Sequence, residues 1–158
     1  MAGEEVLVRD YPANAGVLDY LGRGRGNADQ PILKAPADVS HPYYTLGTHP
    51  DLVERLWDRL NARLPEDCRR VVYRTPVLMH PRSGAIFAFG AGTSYALWLP
   101  EECLRAALRA GAEQVHTYTG DRVLDLQTLG RGWVFGGWYP GEDEWCLAAY
   151  RAAGAATT

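Results

Sequence analysis

Residues 69–99 read RRVVYRTPVLMHPRSGAIFAFGAGTSYALWL, and the way this stretch divides decides the fold. Its apolar residues come in four short runs: RRVVYR at 69–74, VLMH at 77–80, AIFAFG at 85–90 and TSYALWL at 93–99. All four are short, apolar and bounded by turn-forming residues, which reads as strand, and they are too short for a helix. The pieces between the last three, PRSG and AG, are turn-forming, so these runs are expected to make a meander of antiparallel strands. Within TSYALWL, Tyr95, Leu97 and Leu99 alternate with Ser94, Ala96 and Trp98. Apolar residues on both sides of that alternation imply that both sheet faces are partly covered, one of them by helices.

Helical periodicity flanks the meander. Upstream, Leu52, Val53, Leu56, Trp57, Leu60 and Leu64 recur at helical spacing and predict a helix from about 49 to 63. Thr48 with Asp51 fits a capping-box variant, Pro50 suits the first turn, and Pro65 is placed to stop the helix. Asp51 and Arg55 are expected to pair across one turn on the solvated face. Downstream, Pro100 opens EECLRAALRAG, with Glu101 and Glu102 at the positive end of the dipole and Gly111 as the C-terminal cap. Cys103, Leu104, Ala107 and Leu108 form its expected buried stripe.

QVHTYT at 114–119 and RVLDLQTL at 122–129 are expected to form a further hairpin across Gly120 and Asp121. GWVFGGWY at 132–139 is the last strand candidate, with Trp133 and Phe135 on one face and Val134 on the other. The Gly136–Gly137 pair permits a bulge that resets the register at Trp138 and Tyr139. DEWCLAAYRAAG at 143–154 closes the chain as a helix, with Trp145, Cys146, Ala149 and Tyr150 on one side. Residues 48–154 are read as one α+β domain, a mostly antiparallel sheet of five to seven short strands with about three helices packed mainly on one face. Strict βα alternation is missing, which argues against a doubly wound nucleotide fold.

Residues 1–47 are read differently, as an irregular N-terminal arm draped on the domain or used to pair with another chain. Glycines at 16, 22, 24 and 26 and prolines at 12, 31, 36 and 42 interrupt it, and it lacks sustained periodicity. EVLVRDY is its short strand candidate.

Composition narrows the function classes. The formal net charge of −3 supplies no basic footprint for nucleic acid. Lys34 is the only lysine, a skew toward arginine that fits a GC-rich coding genome. It leaves Schiff-base enzymes, P-loop NTPases and PD-(D/E)xK nucleases poorly supported. Cys68, Cys103 and Cys146 are odd in number and widely spaced, the pattern of thiols in a reducing compartment rather than of a disulfide framework. The acidic start MAGEEVLVRDYP does not suit a signal peptide, and no apolar run reaches the length of a membrane span. A cytoplasmic protein is expected.

No motif carries strong chemistry. Gly130, Gly132 and Gly136 spell GxGxxxG but lead into strand formers instead of a helix whose amides would face a phosphate. GTSYA at 92–96 has the look of a nucleophile elbow, yet Ser94 starts a strand. The histidines at 41, 49, 80 and 116 have no HxH, HExxH or comparable metal spacing. The acids Glu142, Asp143 and Glu144 sit where a helix begins and read as dipole-complementing caps, not as a cation site. No cofactor and no metal are expected.

The expectation is therefore a noncatalytic protein-interaction or binding module, engaging a protein partner or a second copy of itself. Arginine, tryptophan and tyrosine are the residue types that most often anchor interfaces. This singles out Arg131, Trp138 and Tyr139 at the last strand, with His80 and Arg82 at the HPRSG turn. The alternative is a small enzyme or ligand-binding protein whose polar site gathers His80, His116, Asp121 and Asp125.

Overall fold

The computed structural model describes residues 14–22, 33–34, 48–72, 75–91, 94–112, 132–135 and 141–155. In chain order these form α1 (Ala15–Gly22), β1 (Leu33–Lys34), α2 (Pro50–Val53), β2 (Arg69–Val72), β3 (Thr75–Met79), β4 (Ile86–Ala91), β5 (Ser94–Trp98), α3 (Glu101–Arg109), β6 (Trp133–Phe135) and α4 (Glu142–Ala155). The class is α+β. The described strands make one antiparallel sheet in sequential order, β1-β2-β3-β4-β5-β6. The meander expected from residues 77–99 is present, and β2 extends it. The hairpin expected at 114–129 lies outside the described residues.

Side-chain alternation divides the core between the two sheet faces. Leu78, Phe87, Tyr95, Leu97 and Val134 face the helices that follow α1 and pack with Leu56, Trp57, Leu104, Trp145, Cys146 and Ala149. Val77, Met79, Phe89, Ala96 and Trp133 face the other way, where Val17 and Leu21 of α1 cover them. Within the span read as an irregular arm, α1 is thus an ordered cover on the second face. Such a short helix is marginal alone and draws its stability from that packing.

A bulge interrupts the alternation in β4. Met79 pairs with Ile86 while Leu78 pairs with Ala88, so Phe87 is the extra residue. Phe87 and Ala88 therefore both join the helix-side core, and Ile86 and Phe89 both join the other.

The first long helix is irregular. After the single α-turn of α2, Glu54–Leu60 runs as a π-helix and Asn61–Arg63 as a 3-10 turn. All six apolar residues expected on its inner stripe are buried. Its cap differs from expectation: Nδ1 of His49, not Thr48, accepts the Asp51 N–H, at 3.2 Å. Thr48 is instead buried where a side chain on Gly90 would stand, next to Pro76. The expected Asp51–Arg55 pair is also replaced. In the widened helix Arg55 turns inward to Glu142 and Asp143 at the start of α4, at 3.8 and 3.7 Å. In α3, Leu104 and Ala107 are buried as expected, Cys103 is half-buried, and Leu108 is exposed because the apolar face is narrower than its sequence stripe.

Candidate functional site

The most connected polar group in the described structure surrounds the turn between β3 and β4. His80 and Ala85 close it: the His80 N–H donates to the Ala85 carbonyl and the Gly84 N–H to the His80 carbonyl, both at 2.9 Å. Gly84 has φ of 80°, a conformation that a side chain would strain. The His80 side chain then folds back on its own turn, where Nδ1 accepts the backbone N–H groups of Arg82 and Ser83, each at 3.2 Å.

Two distant segments clamp this turn. From the N-terminal side, the buried Asn14 donates through Nδ2 to the Gly84 carbonyl at 2.8 Å and accepts the Ile86 N–H through Oδ1 at 3.0 Å. From the C-terminal side, the Tyr150 ring packs on the His80 imidazole with centroids 4.8 Å apart. One helical turn further, Gly154 leaves the room that the imidazole occupies, since a Cβ there would stand 2.5 Å from Nε2. His80 is consequently only 1% exposed.

Glu66 ties the outer rim together. The Tyr150 hydroxyl donates to Glu66 Oε2, and Nη1 of Arg82 lies 3.1 Å from the same oxygen. The carboxylate holding the phenol proton pushes the Tyr150 hydroxyl above its ordinary range, with burial adding to it. Burial, and then the Arg82 charge, push His80 below its ordinary value, with Glu66 opposing. The Arg82 side chain nevertheless remains 71% exposed.

Beneath the rim, the Cys68 N–H donates to Asn61 Oδ1 at 2.9 Å. Asp67 is gripped by Arg69 through Nε at 2.9 Å and Nη2 at 3.1 Å, which holds its carboxyl below the ordinary value. Burial pushes the Cys68 thiol up to about 12 and raises Cys146 as well. Neither thiol has the thiolate character that nucleophilic chemistry requires. At the other end of α4, the Glu142 side chain is fully enclosed beside Arg55, and Arg63 reaches Asp143 at 3.4 Å. The acidic start of α4 therefore anchors it to the helical segment at 50–63 as well as complementing its dipole.

Of the residues singled out from sequence, His80 and Arg82 are brought together. Arg131, Trp138, Tyr139, His116, Asp121 and Asp125 lie outside the described residues. Glu66, Asn14 and Tyr150 were not anticipated as parts of this site; Tyr150 was expected only as a core residue. Among the described residues, no three His, Cys, Asp or Glu side chains are grouped to hold a metal ion. No described helix is long and apolar enough to cross a membrane.

The described part of the molecule is thus an α+β protein whose central hairpin turn is fixed from both chain ends and carries a projecting arginine. No family model, curated protein or solved structure matches the chain.

Proposed function

We propose that the chain is a noncatalytic protein-interaction module that presents Arg82 to a protein partner or to a second copy of itself. The observation that carries this reading is an exposed guanidinium on a turn clamped from both sides. Arginine held in place before contact loses less freedom on binding, and arginine is among the residue types that dominate interface energetics. The nearby titratable groups support a noncatalytic role. Nδ1 of His80 is engaged by two backbone donors, and the Cys68 and Cys146 thiols are buried and held protonated.

The alternative enzyme reading would use His80 with His116, Asp121 and Asp125. A general base needs a free acceptor nitrogen within reach of substrate, and the acceptor nitrogen of His80 is spent on its own turn. A cytoplasmic setting belongs to the interaction reading, supported by three free cysteines.

The test compares wild type with Arg82→Ala by affinity capture from the source cell and by sedimentation over a wide concentration range. The expected result is a partner, or self-association, weakened by about 2 kcal/mol in the variant. Identical captured proteins for both baits, or a wild type that stays monomeric and retains nothing, would overturn the reading.

A further inference from the structure

We propose that α1 is a releasable strap whose docking sets the Arg82 turn, so that the arginine is held ready only while the helix is seated. Asn14, Val17 and Leu21 recur at i, i+3 and i+7, which puts all three on one side of a helix. Val17 and Leu21 join the apolar cluster of Met79, Ile86 and Phe89 on the second sheet face. Asn14, at the start of the same stripe, donates to the Gly84 carbonyl and accepts the Ile86 N–H. Seating the apolar stripe and clamping the turn are therefore one event.

Hydrogen bonding makes the dependence run in both directions. The amide of Asn14 offers an acceptor and a donor group, and Ile86 and Gly84 present the matching N–H and carbonyl two positions apart. Asn14 and Ile86 are both buried, and a buried backbone group left without its partner is costly. Once α1 leaves, these two groups regain partners by opening to water, and the turn loosens with them. An ordered turn favours a seated helix to the same extent.

The same features make α1 the clamp that lets go first. Eight residues are too few to hold a helix unaided, and Gly16 and Gly22 lower its propensity further. The enclosed groups described in its stripe are two apolar side chains and one amide. The opposing clamp, α4, runs for 14 residues and buries Trp145, Cys146, Ala149, Tyr150 and Ala153. Local opening begins at the element with the least buried support. With α1 away, the turn keeps the Tyr150 ring on His80 but loses its hold on Gly84 and Ile86.

The experiment is amide hydrogen exchange of the full wild-type chain, followed by NMR across low urea. One opening should be shared by α1, the Ile86 N–H and the N–H groups of His80, Arg82, Ser83 and Gly84, whose bonds lie within the turn itself. It should be about tenfold or more easier than the opening of the β4–β5 ladder at the sheet centre. Leu21→Ala, about 10 Å along the helix from Asn14, should raise the shared opening about tenfold or more. Turn N–H groups that exchange only together with the sheet centre, or that stay slow while α1 opens, overturn the strap. If Leu21→Ala does not fold, the wild-type pattern alone decides. The functional half rests on the interaction reading: Leu21→Ala should weaken partner binding as the released fraction grows, and unchanged binding with the turn opened overturns that half. A shared opening without any partner retained through Arg82 leaves the strap standing and removes only the interaction reading.

Discussion

The imidazole of His80 occupies the space that a side chain on residue 154 would take: a Cβ there would stand 2.5 Å from Nε2. The strand end and the C-terminal helix are locked together through a missing methyl group. Gly154→Ala should gain about 1 kcal/mol of helix propensity yet lose about 1–3 kcal/mol by forcing the buried ring aside. The expected net effect is a modest loss in urea denaturation. In a His80→Ala background the same change should stabilise, and a double-mutant cycle reads this sign reversal directly.

Tyr150→Phe removes the hydrogen bond to Glu66 while keeping the ring stacked on His80. A bond to a charged acceptor contributes roughly 1.5–3 kcal/mol, and the partly open rim places this one at the lower end. The phenol is held above its unfolded value, so its contribution is intact below about pH 10 and disappears as pH rises through the folded pKa. Wild type should therefore lose stability in alkali more steeply than Tyr150→Phe, which thermal melts between neutral and alkaline pH will show.

Acid acts on the same cluster through His80. Its folded pKa lies below the unfolded value because the ring is buried beside Arg82, so its contribution is full above about pH 6.5 and is lost as pH falls through the folded pKa. Protonating Nδ1 also sets a donor against the N–H groups of Arg82 and Ser83. In His80→Asn, whose carbonyl oxygen keeps an acceptor near Nδ1, melting temperature should stay flatter from pH 6.5 down to the carboxylate range. Asp67, also depressed, loses its contribution lower, as pH falls below about 3.8.

The thiols should separate by burial. Cys103 is half-buried, whereas Cys68 and Cys146 are enclosed. With a thiol-specific chromogenic reagent, one cysteine is expected to react in the native protein and the other two only as the chain unfolds. Rapid native labelling of all three would contradict the enclosure of Cys68 and Cys146 in the helix-side core.

Arg55 is 13% exposed and the Glu142 side chain 0%. Taking one partner from a buried charge pair costs about 3–5 kcal/mol, whereas replacing both with apolar residues is often neutral or better. Glu142→Leu should sharply lower the denaturation midpoint, and adding Arg55→Leu should recover most of it. The loss should be larger in Arg55→Leu, which takes away the cation beside the enclosed Glu142 carboxylate, than in Glu142→Leu, where Arg55 can still meet Asp143.

The strands were legible because alternation is local: Tyr95, Leu97 and Leu99 point to one face whatever covers it. The stripe from Leu52 to Leu64 was legible for the same reason. Helix α1 was not, since AGVLDYLG has too few turns to show a period and is held by the sheet face it covers. The inward turn of Arg55 was hidden too, because nothing in ERLWDRL announces a π-helix. At the candidate site, turn chemistry drew attention to His80 and Arg82. Their partners Asn14 and Tyr150 lie about 70 residues away on either side, and only tertiary packing brings them in.

In the π-helical segment Glu54–Leu60 each backbone hydrogen bond spans one residue more than in an α-helix, and Asp58 and Arg59 on its outer side are exposed. Excising one of them would let the segment relax toward the ordinary ladder. This is a place where shortening the chain by a single position mends helical geometry instead of breaking it, and where homologues of unequal length should differ.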